Sequence, residues 1–305
     1  MSPPVSPAER RPPLEAADPP QALVFGGSGQ IGRPLLARLS AAGWRVLAVS
    51  RTPQPDLPGV RWQRGELADT GRLPAAVDAI FSCGPLDGFA HWFASAAPDC
   101  GRVVAFGSTS VEVKRDSADH AERDVAMRLR RAEEQLFAAA ATGGIGATVL
   151  RPTLVYGAGR DATLTRIALL ARRLHGFVLP GDARGLRQPV HVDDLAWAAT
   201  ACVGAPAAVG RAYALPGGET LSYMEMVARV LAALPQSPRL WILPPALFRA
   251  LLAPARLAGL AAGFNDAALA RMRQDLAFDS GPARADFGYA PRGFAPVAAM
   301  FTPPA

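Results

Sequence analysis

Lysine is almost missing from this chain of 305 residues: 31 of its 32 basic side chains are arginine, and Lys114 is the single exception. With no Gly-Lys-Ser/Thr run, a Walker-type phosphate loop is excluded, and a pyridoxal Schiff base has only Lys114 to form on. Cysteine is scarce too. Cys83, Cys100 and Cys202 are odd in number and far apart, with no Cys-x-x-Cys pair, so they read as reduced thiols of a cytoplasmic protein. His91, His120, His175 and His191 have no metal-ligand spacing, and no metal is expected. The sequence opens without an apolar signal core; seven prolines with Glu9, Arg10, Arg11, Glu15 and Asp18 predict a disordered tail over 1–20. Its longest apolar stretch, Trp241 to Phe264, is broken by Pro244, Pro245, Arg249, Pro254 and Arg256. A central arginine costs about 2.5–3.5 kcal/mol on insertion scales, so no integral membrane segment is expected. Arg128, Arg130 and Arg131 share their segment with Glu122, Asp124, Glu133 and Glu134 and no aromatic residue, which reads as a solvated face and not a nucleic-acid stripe. A Gly-x-Ser-x-Gly hydrolase elbow fails at Ser28, because position 30 is Gln30.

What is present is core material and alternation. Hydrophobic residues make up 50% of the chain, enough for one large α/β domain or two modest ones. Strand-like runs at 22–25, 44–50, 60–64, 78–82, 102–106 and 147–151 alternate with helical patterns, notably 118–141, which predicts a doubly wound parallel sheet of the Rossmann type. Beyond Pro152 helical patterns dominate, near 163–174, 193–203, 222–233 and 246–260, with short apolar pieces at 177–179, 189–192 and 212–215. The expected organisation is a nucleotide-binding domain over 21–155 and a smaller, mainly helical substrate region over 156–305, partly interleaved with it. Asp193 reads as the N-cap of the 193–203 helix and His191 as a strand residue.

Gly26-x-x-Gly29-x-x-Gly32 lies between the first strand and the first helix, the context that separates a dinucleotide turn from a chance cluster. Gly26 permits the tight turn, Gly29 lets a pyrophosphate approach, and Gly32 brings the helix close to the sheet. Ser28, Gln30 and Ile31 fill the turn, and the helix start offers N–H groups to the anion. An acidic residue about twenty positions on grips a ribose 2′-hydroxyl, whereas arginine accommodates a 2′-phosphate. This chain has Ser50-Arg51-Thr52 there, with Arg33 after the third glycine, so NADP (NADPH) is favoured.

Further runs accompany the turn: Gly-Glu-Leu-Ala-Asp at 65–69, Ala-Phe-Gly-Ser-Thr-Ser-Val at 105–111, Leu-Arg-Pro-Thr-Leu-Val-Tyr-Gly at 150–157, Pro-Val-His-Val-Asp-Asp at 189–194 and Asp-Phe-Gly-Tyr-Ala-Pro-Arg at 286–292. Together they resemble the extended short-chain dehydrogenases/reductases, typified by sugar-nucleotide epimerases and dehydratases, from Gln21 to Phe294. The resemblance implies that Glu66 and Leu67 pass beneath the adenine, and that Cys83, Gly84 and Pro85 border the pyrophosphate and nicotinamide ribose. It places Pro152, Thr153 and Leu154 against the nicotinamide, and Ser108, or Thr109 one register on, at the reacting oxygen. Arg187 matches an arginine set against a substrate diphosphate; Arg271 and Arg273, before Asp275-Leu276, match a second one to within one position. It also implies a possible homodimer through the 118–141 helix.

The family's Tyr-x-x-x-Lys pair, in which lysine lowers the pKa of an acid–base tyrosine, has no counterpart here. The helix contains neither residue; Val125 and Leu129 occupy the two positions, or Asp124 and Arg128 after a one-residue slip. The chain therefore resembles atypical members lacking the dyad. Substitute proton donors are Lys114, Glu112, Asp116 and Tyr156, the last also a candidate substrate contact. The leading expectation is an NADP-binding reductase or epimerase acting on a sugar-nucleotide-like or other small carbonyl substrate; the rival is a non-catalytic NADP-binding sensor or scaffold.

Overall fold

The computed structural model describes residues 18–257 and 266–302. Residues 1–17 of the expected tail and 258–260 of the expected fourth C-terminal helix lie outside them. The first half of the chain runs β1 (Gln21–Phe25), α1 (Gly32–Ala41), β2 (Arg45–Ser50), β3 (Val60–Arg64), β4 (Ala76–Ser82), α2 (Leu86–Ala96), β5 (Asp99–Phe106), a single turn α3 (Ser110–Val113), α4 (His120–Thr142) and β6 (Gly146–Pro152). The second half runs β7 (Val155–Tyr156), α5 (Leu164–Leu174), β8 (Gly176–Pro180), β9 (Leu186–Arg187), β10 (Val190–His191), α6 (Val192–Val203) and β11 (Arg211–Leu215). It ends with β12 (Leu221–Ser222), α7 (Tyr223–Ala233), β13 (Arg239–Leu243), α8 (Pro245–Leu257), α9 (Asp266–Arg273) and α10 (Gly281–Phe287).

Seven strands form one all-parallel sheet in the order β11-β6-β5-β4-β1-β2-β3. Its strands are apolar on both faces because both are covered. Ala22, Val24, Val46 and Ala48 point to the side of α1 and α6, where Leu35, Leu36, Leu39, Leu195 and Ala199 are buried. Leu23, Phe25, Leu47 and Val49 point to α2 and α4 and meet Phe89, Trp92, Phe93, Ala132 and Leu136. Each fully buried leucine or phenylalanine contributes about 1.5–3 kcal/mol. A third cluster, including Ile167, Phe177, Met226, Val230 and Phe248, lies between the later helices and β8. The short piece expected at 212–215 is the edge strand β11, which returns the late chain to the sheet beside β6.

Between β3 and β4 the chain crosses from one side of β1 to the other without a helix, turning at Gly65 through a Glu66–Asp69 bridge. That change of direction opens a crevice at the carboxyl ends of β1 and β4, the place where doubly wound sheets receive ligands.

One local expectation is corrected. The N-cap of α6 is His191, whose Nδ1 accepts from the Asp193 N–H at 3.2 Å, so the helix starts one residue before Asp193. Burial pulls the His191 pKa down, which keeps the imidazole neutral and its lone pair available for this role.

Candidate active site

The glycine-rich turn is shaped by backbone against backbone. Gly26 has φ +71°, and a Cβ there would meet the Cys83 carbonyl carbon and the Gly84 nitrogen at 2.8 Å; at Gly32 it would lie 2.2 Å from Gly26 O. Gly29 N–H donates to Gly26 O at 3.0 Å, and Cys83 N–H to Phe25 O at 2.9 Å, so the Ser82–Pro85 loop lies along the turn. No side chain caps α1, and its first turn carries no acid, which leaves its leading N–H groups to an anion. Gln30 Oε1 and Ser82 Oγ are buried there without a hydrogen-bond partner among the described residues. A cradle that a methyl group would fill, beside orphaned polar atoms, fits the pyrophosphate of a dinucleotide. The desolvated Cys83 thiol is pushed up to about 12, so it borders this groove as a neutral group.

At the carboxyl end of β2, Ser50 Oγ donates to Thr52 O at 2.8 Å, and the Gly65 N–H to Ser50 O at 3.0 Å, which sets Gly65–Leu67 beside it. Arg33 reaches the same place: its Nε donates to Ser28 O at 3.3 Å and its Nη2 to Gln54 Oε1 at 3.2 Å. Arg51 is exposed and has no ion pair among the described residues. Two cations, Arg33 and Arg51, thus stand at the end of β2, and the run Ser50-Arg51-Thr52 contains no carboxylate side chain.

A cavity of about 610 Å³ opens beyond β5 and β6. Ser108, Thr109 and Lys114 line one wall, Thr153 and Leu154 the edge nearest β6, and Arg187 and Arg271 another wall. Five of these residues, Ser108, Thr109, Lys114, Arg187 and Arg271, are among those expected for catalysis and substrate binding, and the fold gathers them from three separate segments. The two register alternatives at the reacting oxygen differ in orientation. Thr109 is 7% exposed and its hydroxyl donates to Pro152 O at 3.2 Å, whereas Ser108 Oγ accepts from the Ser110 N–H at 3.1 Å and keeps its own hydrogen to give.

Of the four substitute donors, Lys114 alone lines the cavity. Glu112 accepts from Arg151 Nη1 at 2.8 Å, Asp116 pairs with Arg115 at 3.0 Å on the surface, and Tyr156 is 1% exposed. The Tyr156 ring packs edge-on to His191 and Phe294, which holds it out of the cavity against the expectation of a substrate contact; burial pushes its phenol up to about 12. Arg273 likewise does not line the cavity and pairs with Asp182 at 3.5 Å. Lys114 sits 3.8 Å from Glu122 Oε1, which also receives Arg271 Nη1, while Ser117 Oγ donates to Oε2 at 2.8 Å. Burial, with the Arg271 charge beside it, holds the Lys114 ammonium below the usual lysine range.

Arg187 is buried and largely committed. Its Nη1 donates to Leu186 O at 2.6 Å and Gln274 O at 2.8 Å, its Nη2 to Arg271 O, and its guanidinium lies 5.2 Å from the Tyr223 ring centre. Two cations that the sequence reading missed, Arg166 and Arg173, stand two turns apart on the cavity side of α5. Their seven-residue spacing beside Leu169 and Leu170 was a usable signal.

On α4, of the positions that the resemblance sets for the Tyr-x-x-x-Lys pair, Asp124 is half-buried and Arg128 exposed in one register, whereas Val125 and Leu129 are half-buried in the other, with Leu129 packed into the core between sheet and helices. Four residues on, Glu133 is 5% exposed and takes both Nε and Nη2 of Arg151 from the end of β6. That bidentate pair fastens α4 to the sheet beneath the cavity.

Comparison with known proteins bears on this arrangement. A model of the NAD dependent epimerase/dehydratase family matches residues 22–102 and 126–215, more than half of the chain. The chain belongs to that family. This epimerase/dehydratase-family protein is 29% identical over 247 residues to 2-alkyl-3-oxoalkanoate reductase of Stenotrophomonas maltophilia (strain K279a), covering 69% of this chain and 74% of that one. It is 26% identical over 317 residues to dTDP-4-dehydro-6-deoxy-D-allose reductase of a Streptomyces species, covering 86% and 92%. Among solved structures it resembles MoeE5 in complex with UDP-glucuronic acid and NAD, with a TM-score of 0.65 and 19% identity over 92% of this chain and 96% of that one. That last likeness is one of fold. Among the described residues no helix of the family member is long and apolar enough to cross a membrane, and no cluster of ligating side chains could hold a metal ion.

Proposed function

We propose that this chain is an NADP-dependent reductase of a carbonyl compound that carries an anionic group and an apolar chain. The observation that carries the reading is the cavity itself, which has Ser108 and Lys114 together in its lining and Arg166, Arg173 and Arg271 around an apolar interior that includes Ile167, Leu170, Phe177 and Met272. Arginines recognise a carboxylate or phosphate, and the apolar lining suits an alkyl body better than a hydroxylated sugar. Both relatives named above are reductases, and the first is named for an oxoalkanoate, a carbonyl compound of this chemistry.

A bound nicotinamide would supply the hydride; the remaining work falls to the chain. Ser108 Oγ–H donates to the carbonyl oxygen and polarises it. The Lys114 ammonium would give a proton to the same oxygen and be left as a neutral amine, which water reprotonates. Its depressed pKa makes it a stronger acid than an exposed lysine. Glu122 holds the Lys114 and Arg271 side chains in place, and the arginines fix the substrate anion. Lys114 thereby replaces the absent tyrosine.

The test is oxidation of NADPH, followed spectrophotometrically with a panel of 2-alkyl-3-oxoalkanoates, short neutral ketones and dTDP-4-keto sugars. Faster turnover of the oxo acids than of the neutral ketones is the expected result. Preference for the keto sugars would overturn the substrate class, and NADPH binding without turnover of any of them would overturn the reductase reading.

A further inference from the structure

Arg160 lies in the loop between β7 and α5, on the substrate side, yet its Nη1 donates to Ser28 O of the glycine-rich turn at 3.1 Å. Ser28 O also receives Arg33 Nε at 3.3 Å. Two guanidinium groups thus converge on one carbonyl oxygen. Neither has a carboxylate partner among the described residues; the remaining bond of the pair is from Arg33 to the neutral Gln54. Like charges gathered without a counter-charge imply an anion supplied from outside the chain. Gln54 belongs to the loop that follows β2 and donates to Thr52 Oγ1 at 3.0 Å, so the pair stands at the carboxyl end of β2, where the 2′ position of an adenosine ribose lies in doubly wound folds.

The loop presents Arg160 because its neighbours are pinned. The Gly159 N–H donates to Met300 O at 2.8 Å, and the buried Asp161 carboxylate accepts from Thr163 N–H at 3.1 Å and Thr165 Oγ–H at 2.5 Å at the start of α5. Gly157, at φ +115°, would bring a Cβ within 2.6 Å of His191 Nε2, which fixes the loop's other end. Between these anchors the Arg160 side chain turns out, is exposed, and spans to the turn.

Resting on the NADP reading above, we propose that Arg160 is a cofactor-specificity residue: with Arg33 it grips the adenosine 2′-phosphate, reaching it from the wall of the substrate cavity. Ala162 and Thr163, two and three residues further on, line that cavity. Occupation of the 2′-phosphate site therefore fixes the cavity wall as well, so the protein takes NADP before its substrate.

The experiment titrates the full chain with NADPH, NADH, 2′,5′-ADP and 5′-ADP, by nicotinamide fluorescence and calorimetry, for the wild type, Arg160→Ala and Arg160→Lys. Loss of one charge-assisted contact weakens NADPH and 2′,5′-ADP binding about tenfold in Arg160→Ala, with partial recovery in Arg160→Lys and no change for NADH or 5′-ADP. An equal loss for NADPH and NADH, or no loss for either, overturns the role of Arg160. A wild-type protein that binds NADH as tightly as NADPH overturns the NADP reading itself, and that result is in hand before any variant is made.

Discussion

At Gly32 a single added carbon would lie 2.2 Å from Gly26 O, whereas the cavity a few residues beyond β5 is surrounded by the long ends of Lys114, Arg166, Arg173 and Arg271. The phosphate cradle on the nucleotide side of the cleft is a shape in the main chain, made by the glycine-rich turn packed against the Ser82–Pro85 loop. On the substrate side, the site is a set of charges carried on flexible stems from α3, α5 and α9. A site of the first kind tolerates no added volume at its glycines. A site of the second kind can be rewritten one side chain at a time, and the proposal that Lys114 gives the proton is a rewriting of that sort.

The comparison breaks first at Gly32. Gly32→Ala drives a methyl group into backbone that cannot move aside; it is expected to destabilise the fold by about 1–3 kcal/mol and to weaken NADPH binding about 100-fold, read by thermal melting and fluorescence titration. Lys114→Met, on the other side, should leave NADPH affinity intact and lower kcat by about 10²–10³. Lys114→Arg sharpens this, because arginine keeps the charge but does not release its proton, so substrate KM should hold while kcat falls. In the wild type the acid form is required, and its pKa is depressed; kcat should therefore fall as pH rises through a value below the ordinary lysine range, a limb absent from the Lys114→Met profile. Ser108→Ala removes one donor to the reacting oxygen, for a loss of about 10–100-fold in kcat with melting temperature unchanged. The smallest effect belongs to Arg173, exposed at the cavity mouth: Arg173→Ala should raise the KM of an anionic substrate about fivefold and leave that of a neutral ketone alone.

Reading the sequence reached the backbone-made side more fully than the side-chain-made one, for a physical reason. Strand alternation, the glycine spacing and the Ser50-Arg51 ending are local patterns, and local patterns fix the sheet, the turn and the missing carboxylate. Ser108, Lys114, Arg187 and Arg271 were also singled out, and the fold does bring them to one cavity. Their orientations were not legible, since these depend on partners far along the chain: Arg187 spends its donors on the carbonyls of Arg271 and Gln274, and Tyr156 turns into the core beside Phe294. Arg160 was passed over for the same reason, because its acceptor is 132 residues away. The Glu133–Arg151 pair joins a helix face to a strand end that nothing in the spacing connects. Even the α6 cap shifted from Asp193 to His191, where a neutral imidazole accepts what a carboxylate was expected to take.

That the chain's one lysine should line the cavity has a practical result. A sample grown with nitrogen-15 lysine would give one side-chain amine resonance, with no overlap and no assignment problem, and its chemical shift against pH is a direct titration curve of the proposed proton donor. Reductive methylation with carbon-13 formaldehyde would mark the same side chain and, besides it, the α-amino terminus, so that substrate analogues entering the cavity could be followed by one moving peak.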